Sequence, residues 1–181
     1  MTRDEATKIL AEADTLVTEA ECMAATARVA REIKEKLGGE FPLVLAVMGG
    51  ATVFAGQLLP LLDFPLEFDY IHVSRYGDKL SGGKLNWKVE PKESVHGRIV
   101  LVLDDILDEG ETMAAIRQRV LALGAKEFHS VVFCEKLIRK AKPLKPDFLG
   151  VTVPDRYVFG YGMDVSGLWR NLPAVYALKG S

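Results

Sequence analysis

IVLVLDDILDEGETM, residues 99–113, is the stretch on which the reading of the fold turns. Its first five residues, Ile99 to Leu103, are all aliphatic, the pattern of a strand buried on both faces. The run stops at Asp104, and carboxylates crowd the next eight positions: Asp104, Asp105, Asp108, Glu109 and Glu111. Beyond them Met113, Ile116, Val120 and Leu123 recur at helical spacing, with Thr112 placed to cap the first turn and Gly124 to end the last. The unit is strand, acidic loop, helix. In open α/β sheets ligands occupy the crevice beyond the carboxyl ends of the strands, and the N–H groups at a helix start suit a phosphate.

Neighbouring carboxylates repel one another more strongly as water is excluded, so a cation or a set of hydroxyl donors would relieve this loop. It offers backbone amides near Gly110 to a phosphate, acidic oxygens to sugar hydroxyls or Mg²⁺, and one carboxylate for proton transfer. The plain alternative is an acidic surface turn after a core strand.

Composition narrows the classes. A chain of 181 residues, 49% hydrophobic, is long enough to bury a substantial core and is expected to form one domain over residues 1–181. The net charge of −2 and the lack of a basic run argue against a nucleic-acid partner. The longest apolar run, LLPLL at residues 58–62, is too short for a membrane span, and the charged start MTRDEATK does not read as a secretory signal. A cytoplasmic protein is expected. Cys22 and Cys134 lack Cys or His neighbours at metal-ligand spacing and read as buried free thiols.

Along the chain, Thr2 with Glu5 and Thr18 with Glu21 fit capping boxes and predict helices over residues 3–13 and 19–37, the second with a packing stripe of Met23, Ala27, Ala30, Ile33 and Leu37. Residues 43–48 read as a second buried strand that runs into Gly49 and Gly50, followed by a helix over 52–62. Glycines in such a turn allow close backbone approach to a charged ligand. Residues 66–74 alternate apolar and polar side chains, as in a strand nearer a sheet edge, and the Gly-rich polar segment 75–84 follows. Residues 127–135 predict a further strand with Lys136 at its end, and YVFGY, 157–161, a short apolar strand. His72, His96 and His129 show no ligand spacing and receive no role.

The stretch around Asp104 resembles the phosphoribosyl pyrophosphate signature of type I phosphoribosyltransferases. KPDF (145–148), VPDRYVFGYGMD (153–164) and WRNLP (169–173) resemble the hypoxanthine-guanine branch, and the similarity covers about residues 43–178. This resemblance implies an α/β fold, a mostly parallel central sheet flanked by helices, with a small hood subdomain built from the N- and C-terminal pieces. It implies transfer of 5-phosphoribosyl from phosphoribosyl pyrophosphate to N9 of hypoxanthine or guanine, with Mg²⁺ as cofactor, giving IMP or GMP and pyrophosphate. A homodimer or homotetramer is expected on the same ground. The alternatives are a xanthine-preferring enzyme and a non-catalytic sensor of phosphoribosyl pyrophosphate.

Residue by residue, the resemblance assigns pyrophosphate binding to the Gly49-Gly50 turn, where relatives often carry a cis peptide and a basic residue at the place of Met48. Ser74, Arg75 and Tyr76 match the start of a lid over the reacting centre. Asp104 and Asp105 match the acidic pair that binds the ribose hydroxyls directly or through Mg²⁺, and Asp108 the general acid/base near N7. Residues Asp108, Glu109, Gly110, Glu111 and Thr112 would wrap the 5-phosphate. Glu109 and Glu111 depart from the usual small, neutral or basic residues, so both are expected to face outward or to find cationic partners. Lys136 matches the donor to purine O6; an ammonium has donors and no acceptor, which suits a 6-oxopurine and not adenine. Tyr157 would stack on the purine while the Val158 backbone meets its polar edge. Asp164 matches a Mg²⁺-associated carboxylate and Arg170 a pyrophosphate contact.

Overall fold

A computed structural model describes residues 1–75 and 85–181. In chain order the elements are α1 (Arg3–Glu12), β1 (Asp14–Val17), α2 (Glu19–Leu37), β2 (Leu43–Met48), α3 (Thr52–Leu58), β3 (Glu67–Arg75), β4 (Leu85–Val89), β5 (Ile99–Leu107), α4 (Glu111–Ala122), β6 (Glu127–Leu137), β7 (Phe148–Pro154), β8 (Val158–Phe159) and β9 (Val175–Ala177). Six strands form the main sheet in the order β4-β3-β2-β5-β6-β7, all parallel except the edge strand β4.

The two central strands show why the sheet is covered on both sides. Successive side chains of a strand point to opposite faces. In β5, Ile99, Leu101 and Leu103 pack with Val29, Ile33, Phe54 and Leu58 of α2 and α3, while Val100 and Val102 pack with Met113, Ile116 and Val120 of α4. Full burial of each such side chain is worth about 1.5–3 kcal/mol, which makes a strand apolar at every position the natural centre of the sheet.

A second sheet, β1-β9-β8, is antiparallel and joins the two ends of the chain: Asp14 lies opposite Ala177 and Val158 opposite the same residue on the other side. This is the hood. Trp169 donates from Nε1 to the carbonyl of Ala6 at 3.0 Å, and Arg156 bonds Asp14 at 2.8 Å, so α1 and β1 are tied to the C-terminal segment.

Several boundaries differ from the sequence expectation, each for a physical reason. β5 continues past Leu103 to Leu107, because β6 keeps pairing with it through Asp104 opposite Val132 and Leu107 opposite Glu135. Thr112 is not the cap of α4; Gly110, at φ 82°, turns the chain and the helix starts at Glu111. α3 ends at Leu58 and gives way to a 3-10 turn, Leu59–Leu61, as Pro60 lacks the N–H that would continue it. In α2 the buried stripe runs through Cys22, Thr26, Val29 and Ile33, so Met23, one residue around the helix, is 58% exposed. The strand at YVFGY shrinks to Val158–Phe159, since Gly160 and Tyr161 both take positive φ. Strands β1, β4, β7 and β9 carried no expectation; β1 and β9 are too short to show a period.

Candidate functional site

A cleft of about 1340 Å³ opens at the carboxyl ends of β2, β3, β5 and β6. Three turns meet there. The first follows β2, where the Met48–Gly49 peptide is cis and Thr52 Oγ1 donates to the Gly49 carbonyl at 2.9 Å. A side chain at Gly50 would collide with the Asp105 carboxylate, and one at Gly162 with the Gly50 carbonyl, so β5, the turn after β2 and the hood approach one another only through glycine.

The second element is the acidic end of β5. Asp104 and Asp105 are each 8% exposed. Asp104 accepts from the Asp105 amide at 3.0 Å and Asp105 from the Ile106 amide at 2.9 Å. Burial pushes the Asp104 carboxyl well above the ordinary range, and the neighbouring Asp105 adds to the rise. Burial raises Asp105 too, opposed by its bond with Asp104 and by Arg170, whose Nη1 stands 4.0 Å away. Two such carboxyls favour shared protons or an arriving cation.

The third is the turn from Asp108 into α4, with Glu109, Gly110, Glu111 and Thr112 along the cleft wall. Glu109 and Glu111 are exposed at its rim. The N-terminal end of α4 brings backbone N–H groups and a partial positive charge to this wall. Across from it, Lys136 donates to Asp108 Oδ2 at 2.7 Å, with the lysine side chain 13% and the aspartate side chain 52% exposed. Lys136 lies inside β6, opposite Val153, and not beyond the strand end as the sequence suggested.

The hood supplies the remaining groups. Arg170 bonds Asp164 at 2.5 Å and the Gly162 carbonyl at 2.7 Å, and Asp164 also accepts from the Gly167 amide at 2.7 Å. Asp164 and Arg170 line the cleft together with Gly49, Gly50, Ser74, Asp104, Asp105, Asp108 and Lys136. Tyr157 and Val158 do not line it; Tyr157 is 47% exposed, its hydroxyl donating to the Asp164 carbonyl at 3.3 Å, and Val158 is buried. Tyr76, with the rest of the expected lid through residue 84, lies outside the described residues, and of Arg75 only the backbone, ending β3, is described.

Among the described residues no three Asp, Glu, His or Cys side chains converge to enclose a metal on their own. The hard carboxylate oxygens of Asp104 and Asp105, buried and with Arg170 no nearer than 4.0 Å to Asp105, fit Mg²⁺ of the kind held by one or two carboxylates plus phosphate oxygens of a ligand. Cys22 and Cys134 are buried free thiols, the Cys22 thiol pushed up by burial to about 11, and neither belongs to the site.

Two features escaped the sequence reading. One is the Lys136–Asp108 pair; the other is Lys142, whose ammonium sits behind that pair. The available signal was charge complementarity, since the cationic segment IRKAKPLK, 138–145, follows β6 just as the acidic DEGE, 108–111, follows the adjacent β5.

An open, mainly parallel sheet with an acidic strand end, two cleft-lining turns and a terminal hood defines a phosphoribosyl transferase domain, and the family model of that description matches residues 12–166. The hypoxanthine-guanine phosphoribosyltransferase of Bacillus subtilis is 33% identical over 165 residues, 91% of this chain and 92% of that one. The hypoxanthine-guanine-xanthine phosphoribosyltransferase of Tritrichomonas foetus is 36% identical over 154 residues, 84% of each. A crystal structure of a hypoxanthine-guanine phosphoribosyltransferase from Bacillus anthracis matches with TM-score 0.85 and 28% identity, covering 91% of this chain and 98% of that one. The chain spans 26% of the length of the bifunctional protein TilS/HprT of Listeria monocytogenes, to which it is 34% identical over 165 residues. The chain belongs to the hypoxanthine-guanine phosphoribosyltransferase family.

Proposed function

We propose that this cleft transfers 5-phosphoribosyl from phosphoribosyl pyrophosphate to N9 of hypoxanthine or guanine, a purine-salvage reaction that gives IMP or GMP and releases pyrophosphate. The observation that carries the reading is the Lys136–Asp108 pair at 2.7 Å, one carboxylate and one ammonium on adjacent strand ends beside the acidic pair. For a 6-oxopurine seated there, O6 accepts from the ammonium and N7–H donates to the aspartate, so the base replaces the ion pair with two hydrogen bonds of its own.

The other assignments rest on the family resemblance, supported by the positions of these residues along the cleft. As pyrophosphate leaves, positive charge grows at C1 of the ribose, and rate depends on holding base and sugar in line. Asp104 and Asp105 take the ribose hydroxyls, the α4 turn from Asp108 to Thr112 takes the 5-phosphate, and the Gly49-Gly50 turn with Arg170 takes the pyrophosphate. Arg170 is already oriented by Asp164 and the Gly162 carbonyl. Mg²⁺, when bound, would neutralise charge on the pyrophosphate; Asp104 and Asp105 would hold it, and Asp164, here engaged by Arg170, is a further ligand by the family resemblance alone. By the family resemblance alone, Ser74, Arg75 and Tyr76 begin the lid and Tyr157, which does not line the cleft, stacks on the base.

The relative from Tritrichomonas foetus carries xanthine in its name, which supports xanthine as a third base here. We place the protein in the cytoplasm as one domain over residues 1–181 and as a homodimer or homotetramer, for which Phe68 and Tyr70, exposed two residues apart on β3, supply an apolar surface. Among the described residues no helix is long and apolar enough to cross a membrane. The test is to mix purified protein, Mg²⁺ and phosphoribosyl pyrophosphate with hypoxanthine, guanine, xanthine and adenine in turn. Nucleotide is expected from the 6-oxopurines and not from adenine; nucleotide from adenine alone, or from none, contradicts the proposal.

A further inference from the structure

We propose that Lys142 is a positioning residue that sets the spacing between Asp108 and Lys136 by clipping the end of β5 to the end of β6. The proposal rests on the reading of that pair given above. The pairing of β5 with β6 reaches Leu107 opposite Glu135. There the Lys142 ammonium enters: it donates to the Leu107 carbonyl at 3.1 Å, to the Lys136 carbonyl at 2.6 Å and to Glu135 Oε1 at 3.1 Å. An ammonium has three donors, and all three are used.

The two carbonyls belong to the residue before Asp108 and to Lys136 itself. Two carbonyl oxygens converging on one point repel each other unless a donor stands between them, so removing the ammonium lets the strand ends part. A solvated surface lysine would not be held this way; the Lys142 side chain is 10% exposed and Glu135 supplies the compensating charge. The same segment backs the phosphate turn, since a side chain at Gly110 would meet Pro143 Cδ at 3.3 Å and Lys142 Cβ at 3.5 Å. The stem of Lys142 therefore supports Gly110, and its ammonium governs the acid/base pair.

Lys142→Met separates these duties, keeping the stem and deleting the donors. With the variant folded, judged by its melting curve, kcat for IMP formation is expected to fall about 10- to 100-fold and KM for hypoxanthine to rise, with KM for phosphoribosyl pyrophosphate within about threefold of wild type. In its crystal structure the Asp108–Lys136 distance should lengthen beyond hydrogen-bond reach. Wild-type kinetics with the pair still in contact overturn the proposal, as does equal weakening of both substrates. Should the Met variant not fold, Lys142→Gln, which keeps an amide donor, is read the same way: a smaller loss in kcat and hypoxanthine KM is expected, and wild-type values overturn the clip. If Asp108→Asn and Lys136→Ala turn over as wild type, the assignment of the pair fails instead, and the crystallographic distance in Lys142→Met still decides the clip.

Discussion

Asp104 and Asp105 stand near the end of β5 with 8% of each residue exposed, whereas Asp108, three residues further on, has half of its side chain in solvent and an ammonium at 2.7 Å. Both sites are acidic, and they are suited to opposite work. Burial raises both carboxyls of the first pair, Asp104 more than Asp105, which Arg170 at 4.0 Å partly offsets, so the pair favours an arriving cation or hydrogen donor. The second carboxylate, half in solvent and paired with the Lys136 ammonium, can exchange that counterion for a base. Carboxylate count alone would have merged them; surroundings separate the end proposed to bind the sugar from the end proposed to handle the proton.

The comparison breaks most visibly at Asp108. Asp108→Asn is expected to lower turnover by about 10²-fold or more, with little change in donor KM, measured by steady-state IMP formation. Turnover near wild type would leave this aspartate without its role. Next is the glycine that lets the acidic pair sit where it does. Gly50→Ala places a methyl group against the Asp105 carboxylate and should cost about 1–3 kcal/mol of stability, read by urea unfolding, together with donor affinity. Full retention of both would mean that the turn after β2 is looser than its geometry states.

The buried pair also predicts a pH dependence. A carboxyl raised in the folded state holds a proton that the unfolded chain releases, so its favourable contribution is complete below the ordinary pKa of about 3.9 and is lost as pH rises through the folded value. Asp104→Asn removes the more strongly raised member. The variant should melt above wild type at pH 8, and the gap should close as acid approaches the ordinary carboxyl range. A gap that is constant with pH, or of reversed sign, contradicts the shared burial. The smallest effect belongs to Tyr157→Phe, which deletes the bond to the Asp164 carbonyl and keeps the ring. It should cost about 0.5–1.5 kcal/mol in hypoxanthine binding, by calorimetry, because a phenyl ring still stacks.

How much of this was legible follows from range. β2 and the start of β5 were readable because every residue is apolar, and α1 and α2 because their caps are local: Thr2 with Glu5, Thr18 with Glu21. The continuation of β5 through Asp104 and Asp105 was not, since it depends on β6 continuing beside it. Residues next to glycines in strand-ending turns, which the resemblance singled out, line the cleft, but their partners could not be named. The Lys136–Asp108 pair joins residues 28 apart, and the Lys142 ammonium reaches a carbonyl 35 residues away; only the parallel register of β5 and β6 brings them together. The hood strands β1 and β9 pair the two chain ends, a contact that no local pattern announces.

The division of labour between the two acidic ends is tested most directly by Lys136→Ala, with KM for hypoxanthine and for phosphoribosyl pyrophosphate determined on the same preparation. The purine KM should rise by about tenfold or more, the change that about 1.4 kcal/mol represents, while the donor KM stays near wild type. Equal weakening of both substrates, or of the donor alone, would contradict the account.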